Sequence, residues 1–85
     1  MIKVCEYRPT TDSAPRSACS VRTAKAWRVD MFIERQDGSK ERRPITVAMR
    51  STIGYVHELA MTELRDMTAG TESFADCGFT IWAQI

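Results

Sequence analysis

Trp27-Arg28-Val29-Asp30-Met31-Phe32-Ile33-Glu34-Arg35-Gln36-Asp37-Gly38-Ser39, with the run that returns from Lys40 to Arg50, decides the fold of this 85-residue chain. Trp27, Val29, Met31 and Ile33 alternate with Arg28, Asp30, Phe32 and Glu34, the period-2 pattern of a strand with one buried face. We read a strand from Ala24 to Arg35, turn chemistry at Gln36-Asp37-Gly38-Ser39, and a second strand from Lys40 to Arg50 with Ile45, Val47 and Met49 on one side. Parity fixes the turn. A two-residue Asp37-Gly38 loop would pair Asp30 with Ile45 and throw the two apolar rows onto opposite faces. A three-residue loop with Gly38 left-handed pairs Arg35 with Ser39, Glu34 with Lys40, Phe32 with Arg42, Val29 with Ile45 and Trp27 with Val47. Burial sets register, so the three-residue loop is expected. Pro44 cannot donate to a ladder, which puts the second strand at an edge or at a bulge.

Working outward, Ile2 to Tyr7 reads as a strand with Ile2, Val4 and Glu6 on one side and Lys3, Cys5 and Tyr7 on the other. Arg8 to Thr23 contains Pro9 and Pro15 and has no periodicity, so it reads as a long loop. Ser51 or Thr52 caps a helix that runs to about Thr68, with Gly70 placed for a left-handed C-cap. Ile53, Val56, Ala60, Leu64 and Met67, with Leu59 beside them, make its apolar stripe, while Glu58, Thr62, Arg65 and Asp66 face away. Thr71 to Asp76 reads as a loop. A last strand from Gly78 to Ile85 sends Phe79, Ile81, Ala83 and Ile85 one way and Thr80, Trp82 and Gln84 the other. The expected fold is α+β, β-β-β-α-β in order: a four-stranded, mostly antiparallel sheet covered on one face by one helix. Residues 1–85 form one domain with a long loop at 8–23, since so short a chain has no room for a second core.

Charge is unevenly spread. Residues 1–50 hold eleven Lys or Arg and six Asp or Glu, a balance of +5. Residues 51–85 hold one Arg and five acids, a balance of −4, giving the net +1. Such polarity suits a nucleic-acid face, a protein partner or head-to-tail self-association. No apolar run reaches the ~20 residues that cross a bilayer. The charged, alternating N-terminus is not a signal peptide, so the expected address is cytoplasmic. Cys5, Cys19 and Cys77 are odd in number and lack CxxC spacing, so free thiols are expected.

Catalytic machinery is not expected. His57, the only histidine, falls beside Glu58 and Met61, off the apolar stripe, and reads as a solvated helix residue. The four glycines are scattered and build no phosphate loop, and the carboxylates show no metal-binding spacing. No cofactor or metal is implied. The sheet face away from the helix is more informative, because alternation assigns it Tyr7, Arg28, Phe32, Arg42 and Trp82. Aromatics mixed with arginines suit a protein hot spot or a base-stacking platform, unless the 8–23 loop folds over them. The run Lys40-Glu41-Arg42-Arg43, with Arg16, Arg22, Lys25 and Arg28, offers contacts to phosphates, though Glu34, Asp37 and Glu41 dilute it.

Two resemblances follow. Trp27-Arg28-Val29-Asp30-Met31, the Asp37-Gly38 turn, Ile45-Thr46-Val47 and the following helix resemble, over about residues 25–67, the sheet-plus-helix arm-binding domain of phage integrases. That likeness implies a sheet face entering a DNA groove. In size and layout the chain is also similar to small phage-encoded inhibitor proteins of the anti-CRISPR type, which implies occlusion of a site on a host complex by surface complementarity. The expected function is therefore a non-enzymatic protein-binding module, an inhibitor or adaptor from a mobile element, with partner-binding residues Phe32, Trp82, Arg28, Arg42 and Tyr7. The alternative is nucleic-acid binding by the basic hairpin. A homodimer through an edge strand, 40–50 or 1–7, is the third reading.

Overall fold

The computed structural model describes residues 1–8, 16–17, 21–69 and 74–84. In chain order its elements are β1 (Ile2–Tyr7), β2 (Arg16–Ser17), β3 (Thr23–Ala24), β4 (Ala26–Arg35), β5 (Lys40–Val47), β6 (Ser51–Thr52), α1 (Ile53–Thr68) and β7 (Phe74–Gln84). The four long strands and the helix give the expected β-β-β-α-β order. The main sheet runs β2-β1-β7-β4-β5, with every neighbouring pair antiparallel. The chain's last strand thus lies at the centre, between its first strand and the hairpin.

The hairpin has the three-residue loop. Trp27 pairs with Val47, Val29 with Ile45, Phe32 with Arg42 and Glu34 with Lys40. Gly38 has φ +92. The Gly38 N–H donates to the Arg35 carbonyl at 3.0 Å and the Arg35 N–H to the Ser39 carbonyl at 2.8 Å. The bond between Arg35 and Ser39 makes that pair a hydrogen-bonded one. Since such pairs alternate along an antiparallel ladder, Asp30 opposite Pro44 is a non-bonded pair. The Pro44 nitrogen therefore points outward from an edge strand, where a missing donor leaves the ladder intact.

One face of the sheet is the core. Trp27, Val29, Met31, Ile33, Phe79, Ile81 and Ala83 are almost wholly enclosed, against Val56, Ala60, Leu64 and Met67 of α1. Val47 is buried with them, and Ile45 is partly covered at the rim. The Thr52 hydroxyl caps α1 by accepting from the Tyr55 N–H at 3.2 Å. The helix start is anchored twice more. Ile53 N–H donates to the Arg22 carbonyl at 2.8 Å, and Trp27 Nε1 donates to the Ser51 carbonyl at 3.2 Å. Near the far end Arg43 of β5 reaches Glu63 at 3.1 Å and Asp66 at 3.5 Å.

Several expectations are corrected. β5 stops at Val47, because the chain leaves the sheet there to reach the helix layer; Ser51–Thr52 pairs instead with Thr23–Ala24, and Met49 is exposed. Ala24 thus belongs to β3, and β4 begins at Ala26. The 8–23 segment is not all loop, since Arg16–Ser17 pairs with Glu6 and Cys5 at the sheet margin. β7 starts at Phe74, four residues earlier than its alternation suggests, because Ile33, Glu34 and Arg35 take Cys77, Asp76 and Phe74 as partners. His57 is half-buried, its ring edge-on to Phe79 at 5.6 Å between centroids, so it faces the sheet rather than solvent. Gly70, Cys19, Pro9 and Pro15 lie outside the described residues.

Candidate functional site

The face opposite the helix is built in rows by the ladders. Lys3, Trp82, Arg28 and Thr46 form one row, and Glu6, Thr80, Asp30 and Pro44 the next. Gly78, Phe32 and Arg42 form the third, and Asp76, Glu34 and Lys40 the fourth. Alternation therefore does bring Arg28, Phe32, Arg42 and Trp82 to one face. Phe32 and Trp82 are half-buried, and Arg28 and Arg42 are exposed. The two aromatics are not adjacent: four residues of strand, about 13 Å, separate their rows.

Tyr7 does not join them. The β1–β7 register shifts between Lys3 and Cys5, so Val4 is an extra residue and both Val4 and Cys5 are buried. Beyond this bulge the parity of β1 is reversed. Tyr7 pairs with Phe79 on the helix side, with ring centroids 5.3 Å apart. It belongs to the core rim.

Phe32 has a local structural task. Gly78 lies directly across from it on β7, and a Cβ at Gly78 would overlap the Tyr7 carbonyl oxygen. The same Cβ would stand 3.1 Å from Arg8 Cγ and 3.3 Å from Phe32 Cε1. The Tyr7 carbonyl occupies the space that a side chain at 78 would take, and the Phe32 ring packs beside it, an aromatic covering a cross-strand glycine. Arg8 lies over that ring, its guanidinium carbon 5.5 Å from the centroid, and is paired with Asp76. Arg8, Asp76 and Gly78 are members of the site that sequence reading missed. The signal for them is the Phe32–Gly78 pairing, which becomes visible only once β7 is known to lie beside β4.

Much of the charge on this face is matched within it. Lys3 pairs with Glu6 at 3.2 Å, Arg28 with Asp30 at 3.0 Å, and Arg8 with Asp76. A shallow hollow of about 480 Å³ lies at the Phe32 end, bounded by Arg8, Phe32, Arg42, Pro44, Asp76 and Thr80 among others. Burial, with the Asp76 charge next to it, pushes the Cys77 thiol up, away from the thiolate form. Cys5 and Cys77 are buried on the core side. Among the described residues no group of three His, Cys, Asp or Glu side chains gathers as metal ligands would. No helix of the described residues is long and apolar enough to cross a membrane. No family model, curated protein or solved structure matches this chain.

Proposed function

We propose that this chain is a non-enzymatic protein-binding module, an inhibitor or adaptor of the mobile-element kind, that occludes a site on a host complex with its open sheet face. It would act in the cytoplasm, where a free thiol such as Cys77 persists. The observation that carries the reading is the composition of the open face: two half-buried aromatics set among ion pairs made within the face itself. A surface built to track a phosphate backbone keeps its cations available for phosphates. Here three cations are held by acids of the same surface, a mixture that suits the mosaic of another protein. Trp82 is the principal anchor, because its row contains no glycine for the ring to cover; Arg28 and Lys3 flank it.

The test is retention from a lysate of the native host, using the tagged chain and a Trp82→Ser variant side by side. Binding of the retained protein, once identified and purified, is then measured with both. The expected result is a loss of about thirtyfold or more for the variant, with little change between low and moderate salt. Retention of nucleic acid instead, with affinity falling steeply and log-linearly with salt, would assign the hairpin to phosphate binding.

A further inference from the structure

We propose that the partner segment meeting the Phe32 end of the open face carries a carboxylate that docks on Arg42, next to an apolar side chain resting on Pro44 and the uncovered edge of Phe32. This rests on the protein-binding reading and adds the chemistry of the partner. Among the cations of the hollow, Arg42 has an environment of its own. Arg8 is held by Asp76 and Arg28 by Asp30, while Arg43 is drawn to the other side of the sheet by Glu63 and Asp66. Lys40 has Glu34 directly across the strand pair. Arg42 has Phe32 across from it, with Pro44 and Lys40 two residues away along its own strand. Neither Phe32 nor Pro44 has a side-chain acceptor, and Asp30 and Glu34 stand only diagonally across from Arg42. Arg42 and Lys40 make no ion pair among the described residues, and of the two only Arg42 has an apolar side chain directly opposite.

The position favours a carboxylate over a phosphate chain. A guanidinium matches one carboxylate with two parallel N–H···O bonds, and β5 is the outermost strand, so an acidic side chain reaches Arg42 from the rim. A polyanion laid across the hollow would meet Asp30, Glu34 and Asp76, which line it too. The apolar neighbours exclude water from one side of the pair and give a second, non-polar contact. The occupant is thus an acidic, partly apolar protein segment.

The full chain, ¹⁵N-labelled, is titrated with an acetylated, amidated peptide carrying one glutamate flanked by leucines in a serine-glycine background, with its glutamine counterpart, and with an oligothymidylate of equal charge. The glutamate peptide should shift the amides of Phe32, Lys40 and Arg42. The glutamine peptide should bind at least fivefold more weakly, and Arg42→Glu should weaken the glutamate peptide tenfold or more, with Arg42→Gln in between. Arg42 is exposed on an edge strand, so both variants should keep the wild-type circular dichroism. Equal binding of the two peptides, or unchanged binding by Arg42→Glu, overturns the carboxylate dock and leaves the Trp82 reading to its own assay. Tighter binding of the oligothymidylate at the same amides overturns both. A concentration-dependent dimer that Arg42→Glu dissolves overturns the proposal by making a second copy the occupant.

Discussion

The two faces of this one sheet are made from the same alternating strands, yet they are organised by different physics. On the helix face Trp27, Val29, Met31, Phe79 and Ile81 exclude water completely, and what matters is volume. On the open face Arg28, Phe32, Arg42 and Trp82 stay partly or largely in solvent, and what matters is which charge sits beside which ring. The difference separates two kinds of cost. A change on the first face should be felt as stability. A change on the second should be felt chiefly as binding, except where the two faces meet through the backbone at Gly78.

The largest expected effect lies on the helix face. Leu64 is 5% exposed, and Leu64→Ala removes a methine and two methyl groups from the core. The expected loss is about 2–5 kcal/mol, enough to unfold much of so small a domain at room temperature. Urea denaturation followed by circular dichroism checks it. A wild-type midpoint would mean that the helix does not close the core. Glu58→Ala, on the outward side of the same helix, is the matched control and should move stability by less than about 0.5 kcal/mol.

Gly78→Ala probes the seam between the faces. The added methyl group collides with the Tyr7 carbonyl, so the β1 backbone must shift away from β7, and Arg8 and Phe32 must give by a few tenths of an ångström as well. A destabilisation of about 1–3 kcal/mol is expected from this overpacking. Hydrogen exchange should report it first at the amides of β1 and β7, while those of the β4–β5 hairpin change less. Uniform loss of protection in both would show that the sheet opens as one unit and that the seam is not local.

Trp82→Ser isolates the open face. Lost partner affinity of about 2 kcal/mol is expected, while thermal stability changes by less than that. Phe32→Ser is not its equivalent. Because the ring covers Gly78 and lies under Arg8, that variant should lose stability as well as affinity. If Phe32→Ser is as stable as Trp82→Ser, the ring is an anchor only, and the covering role is wrong.

How far the sequence reaches differs between the same two faces. The helix face was legible because long alternation in β4, the returning apolar row in β5 and the 3–4 spacing in α1 all demand one shared core, and parity then forces Gly38 into the left-handed turn. Most of the open face followed by elimination. Tyr7 did not, because in Val4-Cys5 either residue is apolar enough to point inward, so a bulge leaves no mark on the pattern. The Arg8–Asp76 pair joins residues 68 apart and depends on β7 lying between β1 and β4, an order that hydrophobic periodicity does not encode. His57 was misplaced because an imidazole at the margin of an apolar stripe packs edge-on to Phe79 as readily as it meets water.

The turn assigns residues to faces, so altering it tests the comparison itself. Gly38 has φ +92, and a Cβ added there would meet nothing within 4 Å, so Gly38→Val should lose about 1 kcal/mol or more from backbone strain alone. Gly38→Asn, which tolerates the left-handed region better, should lose less. Thermal melts of the pair check this, and equal stability of the valine variant would count against the three-residue loop.

The smallest effect is a pH dependence at the same turn. The Asp37 carboxylate accepts from the Ser39 N–H at 2.9 Å, and its hydrogen bonds to Ser39, with the Arg35 charge adding less, hold its carboxyl below the usual aspartate range. A depressed folded-state pKa means that the unfolded chain binds the proton more readily. The contribution to stability is therefore fully present above the ordinary aspartate pKa and is lost as pH falls through the lower, folded one. Asp37 is fully exposed, so solvent screens the effect and it should be the weakest of the series. Asp37→Ala should be less stable than wild type near pH 6, and the gap should narrow as both are acidified below the carboxylate range. The Ser39 amide shift should titrate in the same window in the wild type. A gap that stays constant with pH would show that the alanine variant loses turn propensity only, and that the charged acceptor adds nothing to the loop that sets the two faces.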